Sequence, residues 1–231
     1  MYNLHWTALW RPGTMKPKLT LKVLKAEARR FAEIESKHQE PSLYGVTDGK
    51  AIGTYFEHKF RLYLREKYEF EEGSSASGID FPELGVDMKV TSIKQPQSSC
   101  PFKSARQKIY GLGYSLLVFV YEKTDDPEAS TGNLNILHTI FVDKERTADF
   151  QTTTGLRRIL ENQGNKDDIL AFLEERRLPV DEIGASALAD EILVNPPEVG
   201  YLTVSNALQW RLQYSRVIKM AGSVAGIERL K

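Results

Sequence analysis

A chain of 231 residues with 31 Lys and Arg against 31 Asp and Glu carries no net charge, so no global field marks a nucleic-acid partner and any such contact must come from local patches. A hydrophobic share of 41% and a charged share of 27% suit a globular chain able to bury a core. The one cysteine, Cys100, excludes an intramolecular disulfide and fits a reducing, cytoplasmic setting, and no apolar run is long enough to cross a bilayer.

The first fourteen residues, with Trp6, Trp10, Pro12 and Gly13, show no period, and Met15 opens a lysine-rich segment that reads like a start. Residues 1–18 are therefore expected to form an N-terminal arm. Leu21, Leu24, Ala28, Phe31 and Ile34 recur at steps of three and four, which predicts an amphipathic helix within 19–38. A polar loop over 39–50 ends on Asp48, a suitable N-cap for a second helix over 50–67. Ile52, Phe56, Phe60, Tyr63 and Leu64 form its buried stripe, and Glu57 lies at the edge of that stripe. The Gly-Ser run over 73–78 is a flexible connection.

Asp80 follows, and six residues separate it from Asp87-Met88-Lys89. Val86, Met88 and Val90 alternate with Asp87, Lys89 and Thr91, the period of a half-buried strand, so Asp87 and Lys89 project from one face. Phe81-Pro82-Glu83-Leu84-Gly85 supplies a turn that can return Asp80 beside Asp87. An acid two residues before a lysine also occurs at Glu35-Lys37, Asp48-Lys50 and Glu57-Lys59. Two of those three lie in helical segments, where residues two apart diverge, and the third lies in a loop. Only the fourth joins a strand period, a turn and a preceding Asp. Two carboxylates and a lysine on one sheet face suit a hard divalent cation and a poised water. The plain alternative is an ion-paired surface hairpin, and for Glu57 a solvated helix edge.

The prolines in Gln95-Pro96-Gln97-Ser98-Ser99-Cys100-Pro101 predict an irregular loop. A helix is expected over 102–111, a strand covered on both faces over 115–121, and another strand over about 134–142. This order describes an α/β fold with a central mixed sheet flanked by helices, placed at residues 19–150. Beyond it, helical patterns at 153–162, 166–177 and 180–193 precede a helix capped at Thr203 or Ser205 and running through Tyr214. An alternating pair around Gly222-Ser223 closes the chain. From residue 196 onward there are five Lys or Arg against two Glu. Residues 151–231 thus read as a helical, winged-helix-like domain that binds DNA.

At Glu57, Asp80, Asp87 and Lys89 the run from Ile52 to Tyr121 resembles the PD-(D/E)xK nuclease superfamily, and within it the type II restriction endonucleases. Ile79 stands where the family pattern has proline. The resemblance implies Mg2+ held by Asp80 and Asp87, with Glu57 an accessory ligand and Lys89 positioning water or stabilising charge. It also implies double-stranded DNA as substrate and a homodimer, since two-fold symmetry suits cutting both strands of a palindrome. Phosphate and base contacts are expected from Gln95, Gln97, Ser99, Lys103, Arg106 and Gln107, with Lys108 in the same patch. On the expected tail helix, Asn206, Gln209, Arg211, Gln213 and Arg216 offer the amides and guanidinia that pair with adenine and guanine. The four histidines, His5, His38, His58 and His138, lack metal-ligand spacing. The competing readings are a structure-specific repair or recombination nuclease and a non-catalytic winged-helix DNA-binding regulator.

Overall fold

Thr20 starts the first helix, α1 (Leu21–Glu35), by accepting the Val23 N–H through its hydroxyl. Asp48 starts the second, α2 (Gly49–Lys67), by accepting the N–H groups of Lys50 and Ala51. The cap and the span agree with the sequence reading. The computed structural model describes residues 16–73, 78–99, 104–205 and 211–231. Of the arm expected over 1–18, residues 1–15 lie outside them, and Lys18 forms a β-bridge with Glu69.

A mixed sheet forms the centre. Its strands are β1 (Gln39–Glu40), β2 (Val86–Ser92), β4 (Ser115–Asp126) and β5 (Thr131–Val142), in the order β1-β5-β4-β2. β2 runs parallel to β4, and β5 runs antiparallel to both β1 and β4. A last strand, β8 (Ile227–Arg229), pairs antiparallel with the far end of β5. β4 is buried on both faces, as its apolar run predicts. Leu117, Phe119 and Tyr121 face α1 and α2, where Phe31 meets Phe56 at 5.2 Å and Phe56 meets Phe119 at 4.7 Å. Leu116, Val118 and Val120 face the other way, into a cluster with Leu202, Val204, Leu212, Tyr214, Val217 and Ile227. Each of these fully buried apolar side chains contributes about 1.5–3 kcal/mol.

A third cluster joins α3 (Ala105–Tyr110) to α4 (Phe150–Glu161), α5 (Lys166–Glu175) and α6 (Glu182–Val194) through Ile109, Leu156, Ile169, Leu173, Ala189 and Ile192. No helix among the described residues is long and apolar enough to cross a membrane.

Three sequence expectations are overturned. Gln97–Ser99 is a strand, β3, rather than an irregular loop. It forms a second, small sheet with β7 (Arg211–Gln213) and β6 (Thr203–Val204), in the order β3-β7-β6. The helix expected from Thr203 or Ser205 through Tyr214 is therefore absent at its two ends, and 206–210 lie outside the described residues. Finally, the alternating pair around Gly222 is instead a short helix, α7 (Ser215–Met220), a turn, and β8. The helix and hairpin behind the winged-helix expectation are thus replaced by strands that partner β3 and β5. These strands are two or three residues long, too short to show a period, so only their partners decide the conformation.

Candidate active site

β2 is the edge strand beside β4, and its exposed margin is where the acids gather. Phe81 pairs with Val86 across a tight turn in which Pro82–Leu84 coil as a 3-10 helix. Gly85 then adopts φ 60, a left-handed conformation that glycine takes without steric cost. The turn returns Asp80 alongside β2, where its Oδ2 accepts the Met88 N–H at 2.8 Å. Asp80 is also within hydrogen-bonding reach of Asp87. The hairpin expectation holds, with a backbone hydrogen bond fixing the first acid.

Asp87 is buried, and Lys89 Nζ stands 2.7 Å from its Oδ2. The two do project from one face, as the strand period requires. Apart from that ammonium, this buried oxygen has no partner among the described residues. Burial pushes the Asp87 carboxyl up to about 7; Lys89 opposes the rise and Asp80 adds to it. Glu57 reaches the same place from α2. Its carboxyl is also raised, first by burial and then by Asp80, against Lys89 and Arg61.

Arg61 is the group the sequence reading missed. Its Nη2 lies 3.6 Å from Glu57 Oε2 and 3.6 Å from Asp80 Oδ1, so it bridges the helix acid to the turn acid. The signal was available, since Arg61 stands four residues after Glu57 and shares its helix face.

Crowded carboxylates raise one another's cost of ionisation, and a cation between them relieves it. Asp80 and Asp87, whose Oδ2 is answered only by the Lys89 ammonium, are donors of the hard type that Mg2+ takes. Among the described residues no three His, Cys, Asp or Glu side chains close into a metal cage. An open pair of carboxylates completed by water and a phosphate oxygen is a usual Mg2+ set.

A family model described as the type II restriction enzyme NspV matches residues 18–229. The type II restriction enzyme NspV of Nostoc sp. (strain ATCC 29411 / PCC 7524) is 68% identical over 209 residues, 90% of this chain and 95% of that protein. The chain belongs to the NspV type II restriction enzyme family. No solved structure matches it.

The expected DNA-facing residues of this family member separate into two groups. Gln97 and Ser99 on β3 lie opposite Gln213 and Arg211 on β7, so segments far apart in sequence meet in one ribbon. Gln95 is exposed just before it, and its carbonyl accepts the Gln97 N–H at 2.8 Å. Others do not join them. Arg106 grips Glu191 of α6, with Nη2 at 2.5 Å from Oε1, and stacks 4.6 Å from the Tyr110 ring centre. Gln107 donates to the Leu112 carbonyl at 3.4 Å. Lys108 is buried, which lowers its amine pKa, with Asp149 opposing, and takes it off the surface patch. Arg216 sits on α7 and covers the Phe150 ring at 3.6 Å. Arg211, Gln213 and Arg216 therefore share no helix face. Lys103, Asn206 and Gln209 lie outside the described residues.

Proposed function

We infer that the chain is a type II restriction endonuclease that hydrolyses phosphodiester bonds in double-stranded DNA at a specific sequence. The chemistry would be centred on Asp80, Asp87 and Lys89. The observation carrying the assignment of the centre is the 2.7 Å approach of Lys89 to a buried Asp87 whose Oδ2 is otherwise unfilled, with Asp80 fixed beside it. Family membership and the relative's 68% identity support site-specific cleavage over a repair or recombination nuclease, and over a non-catalytic regulator.

Asp80 and Asp87 would hold the divalent cation, Mg2+, with Glu57 as an accessory ligand from α2. Such a cation supplies Lewis acidity at the scissile phosphate and a more acidic bound water. Asp80 stays in place because the Met88 N–H holds its Oδ2. Lys89 is anchored by Asp87 with its charge toward the same space, where it orients the attacking water and offsets negative charge building on the phosphoryl oxygens. Preorganisation is what these contacts achieve, since they set the charges before the substrate arrives.

Each chain has one such centre, so two copies related by a two-fold axis would cut the two strands of a palindrome. The homodimer is part of this proposal.

The test is digestion of plasmid DNA with and without Mg2+. Discrete fragments are expected only with the metal. Asp87→Ala and Lys89→Ala should each lower the cleavage rate by at least about a thousandfold, since each removes a group acting on the transition state. Their circular dichroism should match the wild type. Either variant cutting at full rate would reject this centre.

A further inference from the structure

We propose that the small sheet β3-β7-β6 is the element that reads DNA sequence, presenting Gln97, Ser99, Arg211 and Gln213 to base edges in the major groove. The proposal rests on the restriction-nuclease reading above and names the specificity device of that enzyme.

The register carries it. Gln97 lies directly opposite Gln213, and Ser99 opposite Arg211. Residues directly opposite in an antiparallel pair project from the same face, so these four side chains share one. The alternate positions, Ser98 and Leu212, project from the other. Leu212 is fully buried there, and the Ser98 hydroxyl meets the Tyr214 hydroxyl at 2.6 Å. The ribbon thus has one face sealed against the core and one polar face. That polar face holds two amides, a hydroxyl and a guanidinium, with no acid among them to repel phosphate.

Among the described residues, none of those four side chains has a hydrogen-bond or ion-pair partner within the chain. The contrast with Arg106, committed to Glu191, and Arg216, stacked on Phe150, is direct. Ser99 and Arg211 are exposed, while Gln97 and Gln213 are half-buried and so more fixed. A glutamine amide matches the N6 and N7 edge of adenine, and an arginine matches O6 and N7 of guanine. The reading face is carried by the β3–β7 pair, with the two-residue β6 flanking β7, and a pair of strands has the width to enter the major groove.

The ribbon is tied to the chemistry. Thr91 Oγ1 accepts the Gln97 N–H at 3.0 Å and lies 3.1 Å from the Gln97 carbonyl. Thr91 lies on β2, four residues beyond Asp87 and on the same face as Asp87 and Lys89. At ~3.3 Å per strand residue the separation is about 13 Å. That is close to four base-pair steps of the duplex at ~3.4 Å of axial rise each. Bases read by the ribbon and a phosphate cut at Asp87 can therefore belong to one short site.

The experiment uses the purified full chain. Wild type with Mg2+ on plasmid DNA should give discrete fragments, from which its site is mapped. If wild type leaves the DNA uncut, the nuclease reading fails and the ribbon proposal falls with it. With the site mapped, Gln97→Ala, Arg211→Ala and Gln213→Ala are compared on that site and on duplexes changed at one base pair. Each should lose roughly tenfold to a hundredfold in kcat/KM on the mapped site. Each should also discriminate less at one particular base pair. Ser98→Ala, on the sealed face, should discriminate as wild type does. The ribbon is rejected, with the nuclease reading intact, if the three variants keep wild-type discrimination at every position. It is equally rejected if they weaken cleavage evenly across all sequences with a shallower salt dependence, the mark of phosphate contacts.

Discussion

Arg61 holds two acids that a cation would also want. Its Nη2 lies 3.6 Å from Glu57 Oε2 and from Asp80 Oδ1, and its side chain is partly exposed. A unit charge at that distance is worth about 1 kcal/mol in a water-like dielectric, or about fivefold in affinity. Removing it should strengthen the pull of those carboxylates on a cation. Arg61→Ala is expected to lower the Mg2+ concentration for half-maximal cleavage by about fivefold, and Arg61→Lys to leave it near the wild-type value. A Mg2+ titration of cleavage checks this, and an unchanged midpoint in Arg61→Ala would remove Arg61 from the centre. The convergence of Asp80, Asp87 and Lys89 on one strand face could be read from strand alternation and the Pro-Gly turn, and Glu57 from its place at the edge of the α2 stripe. Arg61 could not, because a single i,i+4 pair on a helix is common and gains meaning only once Asp80 folds back to meet it.

Among the elements, α1, α2, β2 and β4 followed from their apolar periods, and Asp48 from its position before one. β6 and β7 did not. Val204, Leu208 and Leu212 repeat every four residues, which suits a helix, yet Val204 and Leu212 are strand residues paired with each other across β6 and β7. A spacing of four is also a multiple of two, so the pattern could not arbitrate, and the partner that decides, β3, lies over a hundred positions earlier. Pro96 misled as well. Although it lacks an N–H, its carbonyl accepts the Tyr214 N–H at 2.8 Å and lets the ribbon begin. The joint between α4 and β6 depends on Asp149, which is buried. Its Oδ1 accepts the Thr152 N–H at 2.8 Å as the helix cap, and its Oδ2 accepts the Val204 N–H at 2.9 Å. Asp149→Ala loses the cap and strands a buried donor, a cost of roughly 2–4 kcal/mol. Urea denaturation should show that loss; a change below about 0.5 kcal/mol would mean the joint is held elsewhere.

At the scale of the whole molecule, the helices that cover the sheet are fastened by buried acids. Glu27 accepts from Arg30, Tyr63, Lys67 and Tyr68, linking α1 to α2. Glu40 on β1 accepts from Ser42 and Tyr55 and pairs with His38. Burial works to raise the Glu40 carboxyl, but the hydrogen bonds from Ser42, His38 and Tyr55 outweigh it and bring it down to about 2 from 4.5. A depressed carboxyl stabilises the fold fully above its unfolded value and loses that contribution as pH falls toward its folded one. The shift corresponds to on the order of 3 kcal/mol, lost between about pH 4.5 and 2. Glu40→Gln should therefore be less stable at pH 7 and show a flatter fall in melting temperature across that acid window. Parallel acid profiles for the two proteins would contradict it.

The face of β4 lined by Leu116, Val118 and Val120 is covered by Leu202, Val204, Leu212, Tyr214, Val217 and Ile227. On the ribosome, a nascent chain that has passed Val142 but not Ile227 therefore exposes half of its central sheet. Its acids have already been translated, but the ribbon strand β7 and the closing strand β8 have not. A chain stopped before Ile227 thus leaves that face uncovered and lacks both the closing strand and its pairing with β5.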